Sequence, residues 1–235
     1  MSGFENIFTQ SLGIEIPVIC GAMYPCSNPE LVAAASEWGG IGIIQPISLT
    51  YVWGYDFVDG IQYIRSLTNK PIGMNVLLES SSKLYETKML NFVDQALSQG
   101  IRFFITALGN PKEVVKKVKS LGGIVYHDIT ERKWADKALE ANVDGFICVN
   151  NRAGGHAGGK SSEELFREVS KLNKPLVMAG GAGVPEDLKR ALAMGYVAVQ
   201  MGTRSEDLRP TVLMRRIALL RLNAWPVGSV SCSQA

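Results

Sequence analysis

Residues 145–183, GFICVNNRAGGHAGGKSSEELFREVSKLNKPLVMAGGAG, are the stretch that decides the fold. An apolar run is followed by a glycine-rich loop, an amphipathic segment and a second apolar run that ends in another glycine-rich loop. This alternation is typical of parallel strands joined by helices, and it argues against a β-sandwich.

The same alternation extends along the rest of the chain. Eight apolar runs predict strands at Val18–Gly21, Gly40–Ile44, Pro71–Leu77, Phe103–Ala107, Gly123–Tyr126, Gly145–Val149, Pro175–Ala179 and Val197–Met201. Amphipathic spacing predicts helices at Pro29–Trp38, Lys88–Gln99, Pro111–Leu121, Ala135–Ala141, Ser161–Leu172 and Pro185–Met194. Eight such units suffice to close a barrel, so we predict an α/β fold, a (β/α)8 TIM barrel, as a single domain over residues 1–235.

The longest connection before a predicted helix is Pro46–Ile64, which is rich in Tyr, Trp and Asp. We expect this segment to act as a lid over the barrel.

Composition excludes several classes of function. The 235 residues are 46% hydrophobic and 20% charged, and the formal net charge of +2 gives no field that would collect nucleic acid or an anionic membrane. The N-terminus lacks the pattern of a signal peptide, and no apolar run is long enough to span a bilayer, so we expect a cytoplasmic protein.

The four cysteines form no C-x-x-C pair. We interpret them as reduced and structural, with Cys26 as the exception to watch, because it lies in a loop after the first predicted strand.

Two glycine-rich stretches follow the last two predicted strands. Gly180-Gly181-Ala182-Gly183 precedes a helix start, and Gly202-Thr203-Arg204 follows the eighth strand. Small residues let backbone N–H groups approach a phosphate, a helix start adds favourable partial charge, and these two loops are the usual phosphate site of such barrels. A tight turn without a ligand is the alternative for the first stretch, and its pairing with the second favours a phosphate site.

The loop Ala153-Gly154-Gly155-His156-Ala157-Gly158-Gly159 follows the sixth strand and holds one of only two histidines. Its backbone can lie against a flat ring while the imidazole, which suits proton transfer when neutral and anion binding when protonated, projects into the pocket. We therefore predict a functional role for His156. For His127, at the end of the fifth strand, a structural role is nearly as consistent.

Two further strand ends suit a flat heteroaromatic ring such as a flavin. Gly21-Ala22-Met23 follows the first strand, and Asn75 in the third carries an amide that both donates and accepts hydrogen bonds. The loops hold too few ligands for a catalytic zinc site, and the chain has neither a G-x-S-x-G elbow nor a Walker loop.

Taken in order, Gly21-Ala22-Met23, Asn75, the loop 153–158, Gly180–Gly183 and Gln200-Met201-Gly202-Thr203-Arg204 resemble the nitronate monooxygenase family, formerly called 2-nitropropane dioxygenases. The resemblance runs from Ile14 to Arg204. Flavin-dependent enoyl-acyl carrier protein reductases look like close relatives with the same architecture.

The resemblance implies an FMN-dependent oxidoreductase that oxidises an alkyl nitronate, or a nitroalkane, with O2 to a carbonyl compound and nitrite. His156 would be the catalytic residue beside the flavin. The cofactor-binding residues that the resemblance implies, with the phosphate at the later glycines and the ring near the earlier residues, are Gly21, Ala22, Met23, Asn75, Gly155, Gly158, Gly180, Gly181, Ala182, Gln200, Gly202 and Thr203.

Two alternatives stay open: an NAD(P)H-dependent reductase of enoyl thioesters or quinones, and a flavin- or phosphate-binding barrel without turnover. The chain also departs from its relatives in local charge. Asn150-Asn151-Arg152 stands where they often carry an acid, and Asp128 stands near a position that is often basic.

The end of the chain is a further departure. Relatives usually continue past Arg204 with helices that cover the active site, and we expect this covering region to be missing here. Residues 205–235 instead hold an atypical basic amphipathic stretch, Leu213–Leu222, and a serine-rich tail. We interpret the stretch as the eighth barrel helix or an altered tail, with an apolar face that would suit a homodimer.

Overall fold

Eight parallel strands close into a barrel in the computed structural model, which describes residues 4–79 and 82–202. Strand β1 pairs with both β2 and β8, so the sheet has no open edge. The strands are β1 (Val18–Cys20), β2 (Ile41–Ile44), β3 (Ile72–Leu78), β4 (Phe103–Leu108), β5 (Ile124–Ile129), β6 (Gly145–Val149), β7 (Leu176–Ala179) and β8 (Ala198–Met201). The predicted TIM barrel is confirmed.

Helices alternate with these strands. They are α1 (Ile7–Leu12), α2 (Pro29–Glu37), α3 (Phe57–Leu67), α4 (Lys83–Ser98), α5 (Lys112–Ser120), α6 (Arg132–Glu140), α7 (Ser162–Val169) and α8 (Pro185–Met194), with a short π-helix at Ser48–Val52 and a 3-10 turn at Ser170–Leu172. Side-chain caps begin several of them, as where Ser161 and Glu164 form a reciprocal capping box at α7. Within the described ranges, none of the helices has the length and apolar character needed to cross a membrane.

The expected lid over Pro46–Ile64 is wrong for the second half of that segment. Asp56 caps α3 by accepting hydrogen bonds from the backbone of the first turn, and Phe57, Ile61 and Ile64 recur at helical spacing and are fully buried. This part of the connection is therefore a packed barrel helix.

Two apolar cores hold the barrel together. One lies between the strands and the outer helices, and the other fills the barrel interior with residues such as Ile43, Ile105 and Val177. The short helix α1, which the sequence did not predict, closes the lower end of the interior, where the Phe8 ring packs edge-on against Phe103. With that end filled, the space for a ligand is at the opposite end, where the strands finish.

Candidate functional site

A cavity of about 1560 Å³ lies at the carboxyl ends of the strands. It exceeds the roughly 300–1,000 Å³ typical of small-molecule pockets, so it has room for a cofactor together with a substrate. Eleven of the thirteen predicted site residues line it: Gly21, Ala22, Met23, Asn75, Gly155, His156, Gly180, Gly181, Ala182, Gln200 and Gly202.

The other two predicted residues are not in the lining. Gly158 packs beneath its own loop, where a Cβ would lie 2.8 Å from the carbonyl oxygen of Val149. Its small size therefore serves the close approach of the loop to β6. Thr203, like Arg204 and the tail 205–235, lies outside the described residues.

The loop after β7 forms a wall whose one side-chain carbon is the Cβ of Ala182, and we call it the glycine wall (Gly180–Ala182). Gly180 and Gly181 have φ of +112° and +71°, values that favour glycine. A Cβ on Gly180 would overlap Oδ1 of Asn150, so the wall requires glycine there for space as well as for backbone conformation.

Asn150, which is fully buried, connects this wall to the loop after β6. Its Nδ2 donates to the carbonyl oxygen of Gly180 at 3.0 Å, and its Oδ1 accepts from the backbone N–H of Arg152 at 2.8 Å. From the sequence, Asn150 stands out only as a departure from relatives in charge. Its role depends on a contact that the spacing of residues does not reveal.

The chain just before α8 is less open to an anion than the sequence indicated. The backbone N–H groups of Gly183 and Val184 already donate to Oδ2 of Asp187, at 2.9 and 3.1 Å. Asp187 also forms an ion pair with Arg190 at 3.4 Å. The amides left for a phosphate on this side are therefore those of the glycine wall.

His156 lies at the tip of a closed loop. The backbone N–H of Asn151 donates to the carbonyl oxygen of Lys160 at 2.8 Å, which ties the two ends of the loop together. The imidazole is exposed towards the cavity and has no hydrogen-bond partner within the described residues. It is therefore free to contact a ligand.

Amide side chains line another part of the cavity. Oε1 of Gln200 is buried without a hydrogen-bond partner among the described residues, and a Cβ on Gly21 would lie 2.9 Å from Cγ of Gln200. Nδ2 of Asn75 has only a long contact, 3.4 Å, to the carbonyl oxygen of Ile105. Both amides retain hydrogen-bonding capacity for a ligand.

Asp128 lies on β5 and also lines the cavity. Its Oδ1 is buried and has no hydrogen-bond partner in the described part of the chain, and burial raises the pKa of the carboxyl to about 7. The sequence indicated a change of charge here, but not that the acid is desolvated and close to half protonated at neutral pH.

His127, the neighbour of Asp128, lies inside β5, which continues three residues beyond its predicted end at Tyr126. Its Nδ1 lies 2.8 Å from Oγ1 of Thr106, and burial lowers the pKa of the imidazole to about 4. The ring is at the cavity edge, but it is neutral at pH 7 and already has a partner. These contacts favour the structural interpretation.

Comparison with known proteins agrees with this geometry. The family model described as nitronate monooxygenase matches residues 5–205. The chain belongs to the nitronate monooxygenase family. The match spans all eight strands, and therefore every loop that lines the cavity.

Individual relatives differ in their named activities. A curated relative from Rhodococcus jostii, (3aS,4S,5R,7aS)-5-hydroxy-7a-methyl-1-oxo-octahydro-1H-indene-4-carboxyl-CoA dehydrogenase, is 30% identical over 87% of this chain and 56% of its own length. A probable nitronate monooxygenase from Staphylococcus aureus is 24% identical over 90% of this chain and 71% of its own. The structure of FabK from Thermotoga maritima shares 30% identity and a TM-score of 0.72, over 83% of this chain and 60% of that one. The chain thus spans little more than half the length of the first of these relatives.

Proposed function

We propose that this chain forms an FMN-binding barrel that oxidises alkyl nitronates with O2 to a carbonyl compound and nitrite. The observation that carries the proposal is the meeting, in one cavity, of the glycine wall and His156. The family membership supports an oxidoreductase, and the proposal adds the cofactor and the substrate.

The residues present fit FMN. The glycine wall and Gly202 offer backbone N–H groups on residues that have little or no side chain of their own, so a phosphate can approach the backbone closely. Oε1 of Gln200 needs a hydrogen-bond donor, and a flavin ring carries an N–H group between two carbonyl oxygens. When bound, FMN would supply the electron chemistry, while the protein orients the reactants.

His156 would act on the substrate. A neutral imidazole can take the Cα proton of a nitroalkane, and a protonated one can hold the two nitronate oxygens. The absence of a competing partner among the described residues leaves the ring available for either role. Because the tip of the loop is exposed, the substrate would reach the imidazole from the open side of the cavity.

A second candidate is an NAD(P)H-dependent reductase of enoyl thioesters or quinones. It is favoured by one specific observation, the 30% identity to a relative named as a dehydrogenase of a carboxyl-CoA compound. Both candidates use the same cavity and cofactor, so they differ in what reduces the flavin.

The absorption spectrum of the purified protein tests the cofactor. Flavin bands, or their appearance on reconstitution with FMN, are expected, and a colourless protein that cannot be reconstituted would contradict the proposal. Anaerobic mixing with an alkyl nitronate and, separately, with NADH distinguishes the two candidates, because only the true reductant bleaches the flavin band.

Replacement of the imidazole tests the catalytic role. His156→Ala is expected to lower turnover by roughly 100-fold or more, the usual contribution of a positioned acid or base, while FMN binding changes little. The matched control is Asn151→Ala, which changes an exposed residue of the same loop. Equal activity of both variants would remove His156 from the mechanism.

A further inference from the structure

We propose that Arg152 is a phosphate ligand of the cavity and makes it select FMN over riboflavin. This inference rests on the proposed flavin site and deepens it. It assigns to one side chain the recognition of a phosphate monoester, a task that the sequence patterns assign to backbone groups alone.

The guanidinium group of Arg152 lies directly over the glycine wall. A Cβ on Gly181 would lie 2.7 Å from both Nε and Cζ of Arg152 and 3.0 Å from Nη1. The positive charge therefore lies against the backbone that the phosphate is expected to approach, inside the lining of the cavity.

Nothing in the described part of the chain neutralises this charge. The guanidinium of Arg152 forms neither an ion pair nor a hydrogen bond there. Asp187, an acid of the cavity lining, is engaged with Arg190 and with the backbone N–H groups of Gly183 and Val184. An exposed arginine held over bare backbone, without a partner, is arranged to receive an anion.

The backbone of Arg152 is held in place independently of any ligand. Its N–H donates to Oδ1 of Asn150, and the same asparagine binds the carbonyl oxygen of Gly180. One buried amide therefore brings the arginine and the glycine wall together. Preorganisation of this kind reduces the entropy lost when the anion binds.

The chemistry favours a phosphate over a monoanion with one charged oxygen. A guanidinium binds phosphate oxygens through two parallel N–H groups, and it lies here against Gly181, which has no side chain of its own to keep a phosphate away. The same chemistry is shared by FMN and by inorganic phosphate, and the experiment separates these sources.

The test compares two flavins on the full-length chain after flavin removal. FMN and riboflavin are titrated into the wild-type protein, Arg152→Gln and Arg152→Lys, and inorganic phosphate is titrated separately with detection by phosphorus NMR. Arg152→Gln is expected to weaken FMN by about tenfold or more and to leave riboflavin within about twofold, because only FMN carries the charge-assisted hydrogen bonds. The FMN affinity of Arg152→Lys is expected to lie between those of the wild type and Arg152→Gln, since lysine keeps the charge but not the two parallel N–H groups of the guanidinium.

The matched control is Lys137→Gln, which removes a cation from the same cavity lining at a different place, above the Trp134 ring. It is expected to leave the ratio of FMN to riboflavin affinity unchanged. A ratio that stays the same in Arg152→Gln, or falls equally in the control, overturns the inference.

Failure of the inference and failure of the proposed function give different results. If the wild-type chain binds neither flavin, the proposed function fails, and the phosphate titration alone decides on Arg152. Phosphate binding that is lost in Arg152→Gln then supports the inference. Phosphate binding that is absent from the wild type, or equal in the two proteins, overturns it.

Discussion

Asn150 donates a hydrogen bond from Nδ2 to the carbonyl oxygen of Gly180 at 3.0 Å, and this contact fastens the loop after β6 to the loop after β7. The first of these loops carries His156 and the second forms the glycine wall. The relative position of the two halves of the candidate site therefore depends on one buried side chain that contacts neither proposed reactant.

Asn150→Ala is expected to lower the free energy of unfolding by about 1–3 kcal/mol, because it removes the hydrogen bonds that the buried asparagine makes to the carbonyl oxygen of Gly180 and the N–H of Arg152. Denaturation in urea measures the change. The control, Asn151→Ala, alters an exposed neighbour and is expected to stay within about 0.5 kcal/mol of wild type. Equal losses in both variants would show that the contact between the loops contributes little.

Gly180→Ala tests the close packing of the glycine wall. The new methyl group would overlap Oδ1 of Asn150, at a residue whose φ of +112° already disfavours alanine. A loss of about 2 kcal/mol or more is expected from strain and overlap together. Gly159→Ala is the control, because nothing lies within 4 Å of the added Cβ and the backbone is not left-handed there. Thermal unfolding of the two variants compares them, and a Gly180 variant as stable as the control would contradict the geometry.

Much of the fold is predictable from the sequence because a barrel repeats one pattern eight times. All eight predicted strands overlap the observed ones, and β7 differs by a single residue at its start. The exceptions have physical causes. The fifth strand was predicted to end at Tyr126, but β5 continues because His127 and Asp128 pair with Phe146 and Ile147 of β6. The hydroxyl of Thr106 gives the imidazole a buried partner. The helix α1 is too short and too polar to be recognised by periodicity. Its start is fixed by Asn6, whose side chain accepts hydrogen bonds from the backbone of the first turn.

The sequence predicts which residues lie at the candidate site, but not which contacts their side chains make. Residues that follow parallel strands share one face of a barrel, which is why eleven predicted residues meet in one cavity. Two contacts depend on side-chain conformation: that of the Arg152 guanidinium with Gly181, and that of the Asp187 carboxylate with the N–H groups before α8. Sequence spacing carries no information about these conformations.

His127 is expected to make the protein sensitive to acid. Its folded-state pKa of about 4 lies below the ordinary value of 6.5, so between these pH values the unfolded chain binds a proton that the folded chain excludes. The free energy of unfolding therefore falls as the pH is lowered from about 6.5 to 4. His127→Asn should reduce this fall by on the order of 2 kcal/mol, the part that His127 contributes. Urea denaturation between pH 6.5 and 4 measures the change.

Thr106→Val separates titration from hydrogen bonding at this position. Removal of the hydroxyl should lower stability by about 1 kcal/mol at every pH, because it takes away the partner of Nδ1. The slope against pH should remain, since burial is the cause of the lowered pKa. A pH dependence that disappears with the hydroxyl would show that the contact with Thr106, and not burial, lowers the pKa of His127. A fall in stability that is as large in His127→Asn as in wild type would show that another group titrates.

Asp128 has the opposite linkage. Burial raises the pKa of its carboxyl from 3.8 to about 7, so between these pH values the folded chain holds a proton that the unfolded chain has lost. This group therefore lowers the free energy of unfolding as the pH rises from 4 to 7, and the penalty is complete above pH 7. Asp128→Asn should consequently be more stable than wild type at pH 8, by on the order of 2 kcal/mol. The reason is that the neutral amide carries no charge, whereas the carboxylate of Asp128 is charged at this pH and its buried Oδ1 has no partner in the described part of the chain. The advantage should shrink steadily as the pH is lowered towards 4.

Asp59→Asn, which changes an exposed acid on α3, is the control and should show no comparable gain at pH 8. Two-state urea curves at pH 4, 6 and 8 measure the three proteins, and an advantage of Asp128→Asn that is constant with pH would mean that the carboxyl is not desolvated in the folded barrel.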